Sequence, residues 1–252
     1  MLADRIRAMG APHWGALYAA ILAAWAALWA MAAAASDLAA LSGAYGAALW
    51  ETLCAPAADA AGIARLWAMW ALMGAAMMTP TALPAFATYE DLGRATRTRF
   101  GALAGGYLAV WAGFAAVAAL VQTALWQSGL LDPLGASTSA ALTAALLALA
   151  GLYQFSALKH ACLSKCRAPL TFFMQHWDEG PWRMGLRLGA VCLGCCWALM
   201  ALAFVGGTMN LGFMAAGMVL MAVEKLSLGR ALTRPLGIAL LAAAALVAAG
   251  AP

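Results

Sequence analysis

The stretch CLGCCWALM, residues 192–200, decides how this chain is read. It lies inside a largely apolar segment at 186–206, and roughly 20 apolar residues suffice for a helix to cross a bilayer. Yet three thiols, Cys192, Cys195 and Cys196, fall within five positions, and Met200 follows one turn later. A lipid-facing helix has no need of thiols. The segment therefore has to be explained both as a span and as a chemical site.

The rest of the chain shares its apolar character. Of 252 residues, 66% are hydrophobic and 10% are charged, whereas a soluble domain carries about 25% charged residues. Such a chain cannot clothe a water-facing surface. The expected fold is an all-α polytopic membrane helical bundle, forming a single domain over residues 1–252. Seven spans are expected, at about 14–35, 66–87, 103–126, 138–158, 186–206, 209–224 and 234–250. Only GGTMN, residues 206–210, separates the fifth from the sixth. That pair is either a tight helical hairpin or a broken segment, so six spans plus a re-entrant piece is the alternative.

Lysine and arginine collect in cytoplasmic loops. Here Arg5 and Arg7 precede the first span, and Arg94, Arg97 and Arg99 follow the second. Lys159, Lys165, Arg167, Arg183 and Arg187 surround the connection after the fourth, and Lys225, Arg230 and Arg234 that after the sixth. The alternate loops hold Asp37, Glu51, Asp59, Arg65 and Asp132. The alternation places the N-terminus inside and the C-terminus outside. The N-terminal apolar run, closed by AAAAS at 32–36, exceeds the 7–15 residues of a signal-peptide core, so it is expected to remain as a span. The longest outer connection, 37–64, is expected to carry a short interfacial helix around Tyr45 to Cys54.

The chain has 6 Cys and 14 Met. Five cysteines form two clusters: Cys162 with Cys166, and Cys192 with Cys195 and Cys196. Both are expected at or near the cytoplasmic ends of spans, where thiols stay reduced and structural disulfides are disfavoured. Residues four apart share a helix face. Cys162 and Cys166 therefore align if the helix continues past Lys159, and Cys192, Cys196 and Met200 form one stripe. Cys195 sits on a neighbouring face. The second span, MWALMGAAMMTP at 69–80, repeats the theme with Met69, Met73 and Met77, plus Met78 in a second direction. Pro80 removes an N–H donor there, with a kink as the expected result. The sixth span carries Met214, Met218 and Met221, with Met209 and Asn210 at its outer end. Thiolates and thioethers together favour Cu(I); four thiolates would suit Zn(II) or an iron–sulfur centre. The plainer reading of each Met ladder is packing, because methionine is a flexible apolar filler. Cys54, alone in the outer loop, reads as structural or incidental.

Ionisable and polar groups within spans default to function. Glu224 and Lys225 lie where the sixth span meets the cytosol, and either snorkel or serve a site. Gln154, beside Tyr153, needs a partner on another helix. His160 is a candidate nitrogen ligand beside Cys162, although a solvated interface position explains it as well. His13 and His176 have weaker claims. P-loop, GxSxG, HExxH and dinucleotide fingerprints are all absent. No enzymatic activity is expected, an ATP-driven pump is excluded for this chain, and no basic patch suggests nucleic acid.

Four motifs carry a family resemblance: MWALMGAAMMTP at 69–80, YQFSALKHACLSKCRAP at 153–169, GAVCLGCCWALM at 189–200, and GTMN leading to EK at 207–225. Over about residues 65–226 the chain resembles the DUF2182 family of bacterial integral membrane proteins, described as predicted to bind metal. A bacterial inner-membrane location is expected. The resemblance also marks Met77, Met78, Pro80, Tyr153, Gln154, Lys159, the five clustered cysteines, Trp197, Met200, Met209, Asn210, Glu224 and Lys225.

The first functional expectation is a membrane protein that binds a soft metal, Cu(I) before others, and moves or delivers it along Cys162, Cys166, Cys192, Cys195, Cys196, Met200, Met69, Met73, Met77, Met78, Met209, Met214 and His160. Its partners would be the lipid bilayer and a soluble metal chaperone or larger membrane complex. The second is an accessory or assembly subunit, for which the GxxxG-type pairs Gly101/Gly105 and Gly185/Gly189 suit close helix packing. The third is a membrane thiol redox protein. The topology is open to direct test. A reporter fused after residue 130 should read external and one after residue 175 internal; the opposite signs would invert the compartment assigned to the thiols.

Overall fold

Alanine- and leucine-rich runs with few β-branched residues favour helix, and helices satisfy their own backbone groups where water is absent. The computed structural model describes residues 12–36, 59–93, 99–132, 134–226 and 231–250. Its helices, in chain order, are α1 (Pro12–Ser36), α2 (Ala60–Leu92), α3 (Phe100–Gln127), α4 (Ala140–Tyr153), α5 (Ala157–Arg167), α6 (Pro169–His176), α7 (Pro181–Ala201), α8 (Ala203–Gly206), α9 (Leu211–Leu226) and α10 (Thr233–Ala248). No strand forms among the described residues. Cys54, the interfacial helix expected at Tyr45 to Cys54, and Arg5, Arg7, Arg94, Arg97 and Arg230 lie outside them.

Helix starts follow capping chemistry. Asp59 Oδ1 accepts from Gly62 N at 2.8 Å, Ser156 Oγ from Lys159 N at 3.1 Å, and Asn210 Oδ1 from Phe213 N at 3.1 Å. Pro169 and Pro181 occupy first turns, where a missing N–H costs nothing. Between α6 and α7, Glu179 accepts from Arg187 and also meets His176. The Arg187 guanidinium holds this carboxyl below its ordinary range.

Among the described residues, four segments are long and apolar enough to cross a membrane: Pro12–Ala33, Ala60–Leu92, Phe100–Gln127 and Pro181–Gly206. The fourth expected span, 138–158, is not one straight helix. It breaks into α4 and α5, bent by 62°. The cause is local: Ser156 captures the amide of Lys159 and starts a new helix, competing with continuation of the old one. The sixth and seventh expected spans become α9 and α10, of 16 residues each, about 24 Å at 1.5 Å per residue.

The chain turns between α8 and α9 at Gly207, whose φ of +88° suits glycine. Phe213 then packs against Gly206, Met214 shares a cavity with Met200, and Lys225 reaches Cys192. Helix α9 therefore runs back along α7, as in the hairpin reading of GGTMN.

Pro80 and Pro84 do not end α2, which continues to Leu92. Pro80 deprives the Ala76 carbonyl of its helical donor, and Trp25 Nε1 of α1 supplies one at 3.0 Å. At the other end of α1, Glu90 accepts from Trp14 and meets His13. His13 thus helps dock α1.

Helices α3 and α7 pack most extensively. A Cβ on Gly185 would lie 2.2 Å from the Leu103 carbonyl oxygen, one on Gly106 would lie 2.4 Å from that of Trp182, and one on Gly189 would lie 2.9 Å from that of Tyr107. The Gly185/Gly189 pair is therefore used inside the chain. Its counterpart on α3 is Gly106. Gly101 faces open space, and Gly105 meets only the Trp182 ring.

Glu224 and Lys225 do not snorkel. Glu224 Oε2 accepts from Lys159 Nζ at 2.8 Å, with the two side chains 1% and 0% exposed. Arg167 donates through Nε at 3.0 Å and Nη2 at 2.7 Å to the Glu224 backbone carbonyl. This ties the C-terminal end of α9 to both ends of α5.

Two outcomes test this packing. Gly185→Ala should lower stability by about 1–3 kcal/mol through overpacking against backbone, while Gly101→Ala should leave thermal unfolding unchanged. Lys159→Met alone should cost about 3–5 kcal/mol, because it removes the ammonium paired with a buried carboxylate. Adding Glu224→Leu should recover most of that loss in the same assay, whereas additive losses would deny the pairing.

Candidate metal centre

The stripe expected on the fifth span becomes the axis of the site. Cys192, Cys196 and Met200 lie along α7 and are all buried. Cys195, one position round the helix, is buried too and turns toward α5. The five described cysteines are free thiols. Cys195 Sγ is 3.2 Å from Cys196 Sγ and 3.9 Å from Cys166 Sγ on α5. It also donates to the Cys192 carbonyl at 3.0 Å.

Cys162 shares α5 with Cys166, as their spacing requires. It fits because position 194 is glycine: a Cβ there would stand 2.6 Å from Cys162 Sγ. Tyr153 donates to the Gly194 carbonyl, and its ring meets Trp197 edge-on at 5.1 Å. Two cross-helix contacts thus bring the α4–α5 elbow against the thiol-bearing face of α7. Among the described residues, no group of three or more His, Cys, Asp and Glu side chains is arranged to hold a metal ion. The thiols are neighbours, but they do not converge on one tetrahedral point. His160 is half-buried on α5, outside any such group.

Cys192 has a different environment. Lys225 Nζ approaches its Sγ at 3.1 Å, and the Tyr107 hydroxyl lies at 3.2 Å. Lys225 also donates to Thr81 Oγ1. Tyr107 donates to the Met78 carbonyl at 2.8 Å, and Thr81 does the same at 2.8 Å. One buried sulfur is therefore held by an ammonium from α9 and a phenol from α3, both anchored on α2. Tyr107 and Thr81 carry no motif signature. The one sequence cue for Tyr107 is a hydroxyl within an apolar span, directly after the glycine that meets α7.

Further along α7 the ladders converge. Met73 and Met77 of α2, Met200 of α7, and Met214 and Met221 of α9 line one cavity of about 20 Å³. A space that size admits a single water-sized guest. Met69 and Met78 are buried in the core but do not line it. Met209 packs in the turn before α9, and Met218 is half-buried.

Gln154 departs from expectation. It is fully buried at the α4–α5 break, yet neither its Oε1 nor its Nε2 has a partner among the described residues. The neighbouring helix presents Gly237 there, which offers no side chain.

Beside Cys192, a larger cavity of about 230 Å³ reaches Cys166, Cys192, Tyr107, Thr81, Arg167 and Lys225.

No curated protein and no solved structure matches the chain. A protein-family model does match, over residues 67–247, and its description is PpoB2, copper chaperone. That range holds every thiol and thioether placed above, from Met69 to Met221, together with Lys159, Glu224 and Lys225. The match spans well over half of the sequence, so the chain belongs to the PpoB2 copper chaperone family.

Proposed function

We propose that this protein is a membrane copper chaperone that accepts Cu(I) on the thiols of α5 and α7 and hands it to the methionines between α2, α7 and α9. The observation that carries the reading is the cavity walled by five methionines from three helices, one turn along α7 from Cys196. Packing alone accounts for any single ladder. It does not require three ladders to share one void. Thiolate and thioether donors select Cu(I) among physiological metals, and the family's description names copper.

Charge supports the same cargo. Two thiolates and one Cu(I) carry a net charge of about −1, and the Lys225 ammonium beside Cys192 balances it. A divalent ion on the same two thiolates would leave an uncompensated positive charge in a low-dielectric interior, which is costly. Two thiolates also satisfy Cu(I), so a preformed four-thiol cage is not needed. The methionine cavity would then take the ion by exchange between neutral thioethers. The reading includes a bacterial inner membrane, with the N-terminus and the thiol end on the cytoplasmic side and the C-terminus on the periplasmic side. It also includes a copper donor or acceptor outside the chain. The resemblance to the DUF2182 family is in keeping with it.

Anaerobic competition with a Cu(I) chelator tests the assignment. The Cys192→Ser/Cys196→Ser variant should bind Cu(I) at least about a hundredfold more weakly than wild type, ~2.7 kcal/mol. Cys54→Ser should not differ from wild type. Met77→Leu with Met214→Leu preserves volume, and so should cost under about 1.5 kcal/mol of stability while slowing onward transfer. Wild-type protein that binds no tighter than the double serine variant would end the copper reading.

A further inference from the structure

The cavity of about 230 Å³ beside Cys192 has an unusual wall for a copper protein. Two cationic side chains, Arg167 and Lys225, line it with two thiols, Cys166 and Cys192. Tyr107 and Thr81 add hydroxyls, and none of the described residues on the wall is acidic. It opens where α5 ends and α6 begins, beside the exposed Leu226.

Charge sign decides what such a cavity admits. Two positive groups repel a bare Cu(I) ion and attract an anion, and the low-dielectric surroundings strengthen both effects. Volume decides the size. At ~30 Å³ per water, the space holds roughly seven or eight waters. That is too little for a protein loop and enough for a thiol of a few carbons bearing a carboxylate. The thiols supply the acceptors. Both reach the same cavity, and Cys166 continues through Cys195 to Cys196 at 3.9 and 3.2 Å.

We infer that this cavity binds a small anionic thiol, and that Cu(I) enters the protein as that thiol's bis-thiolate complex rather than as a free ion or from a docked protein. The inference rests on the copper reading above and names the carrier it requires. The carboxylate of the carrier pairs with Arg167 and Lys225, which brings its copper against the two protein sulfurs. Transfer is ligand exchange without redox change. The Cys192 sulfur forms a bond to copper, one carrier thiolate leaves, and the cysteine proton goes to it. A second exchange at Cys166 releases the second carrier thiol. One anionic copper bis-thiolate and two cysteine thiols thus give one protein-bound copper bis-thiolate and two free carrier thiols.

The test varies the charge of the carrier on unaltered protein. Purified full-length chain receives Cu(I) anaerobically as its mercaptopropionate, mercaptoethanol or cysteamine complex, which are anionic, neutral and cationic thiols of similar size. Loading should be fastest from mercaptopropionate, by at least about tenfold over mercaptoethanol, and slowest from cysteamine. Arg167→Gln should remove most of the preference and Arg167→Lys should keep it. A copper-free measurement runs beside it: methylthiopropionate should slow maleimide alkylation of Cys166 and Cys192, mapped by peptide mass, and leave Cys162 unaffected. Equal loading from all three carriers would overturn the inference and leave the copper site standing. Copper accepted from none of them would sink the copper reading. Protection by methylthiopropionate would then still support the anion site, and its absence would remove that too.

Discussion

Among the described residues, three charged side chains are buried in a bundle made almost entirely of apolar helices, and their contacts fix the geometry near the thiols. A charge in such surroundings must find a partner or lose it. Glu224 and Lys225 are adjacent on α9 and so point in different directions. Glu224 takes Lys159, which locks α9 to α5. That leaves Lys225 to reach Thr81 on α2 and Cys192 on α7. Loss of one partner from such a pair costs about 3–5 kcal/mol, a large part of the 5–15 kcal/mol that holds a typical protein folded. Lys159 and Glu224 neutralise one another, and Lys225 is left to position Cys192.

The other requirement is close approach. Helix α3 delivers Tyr107 to Cys192 because Gly106, Gly185 and Gly189 let two backbones touch. Any side chain at these positions would push the phenol away from the sulfur. Gly194 does the same for Cys162, and the bend at Gln154–Ser156 turns α5 so that Cys166 meets Cys195. Gly185 and Gly189, which looked suited to an external partner, are thus spent inside the molecule. What the bundle builds is a line of sulfur along α7, with thiols at one level and thioethers at the next.

Much of this was legible because hydropathy and helical spacing are local. The apolar runs locate the helices, since an apolar backbone in lipid has few alternatives. The i, i+4, i+8 spacing of Cys192, Cys196 and Met200 put them on one face, where they are. Met73 and Met77 face one cavity for the same reason. Features that depend on tertiary choice were not legible. Hydropathy runs straight through Ser156, so the break of the fourth span is hidden by an apolar stretch that a single cap interrupts. The spacing Gly101/Gly105 matches the same pattern as Gly185/Gly189, yet the rotation of α3 selects Gly106. Lys159 and Glu224 are 65 positions apart, and nothing in either neighbourhood announces the other. Spacing also did not show that Cys166 reaches the α7 thiols through Cys195, while Cys162 lies against Gly194.

The central claim is that copper sits on sulfur alone, with the nearby cation completing its charge rather than its coordination. X-ray absorption at the copper edge of protein loaded anaerobically with one equivalent of Cu(I) addresses it directly. The account predicts a first shell of sulfur only, unchanged when His160 is replaced by Ala. A shell containing nitrogen or oxygen, or copper that stays with its carrier thiol, would contradict it.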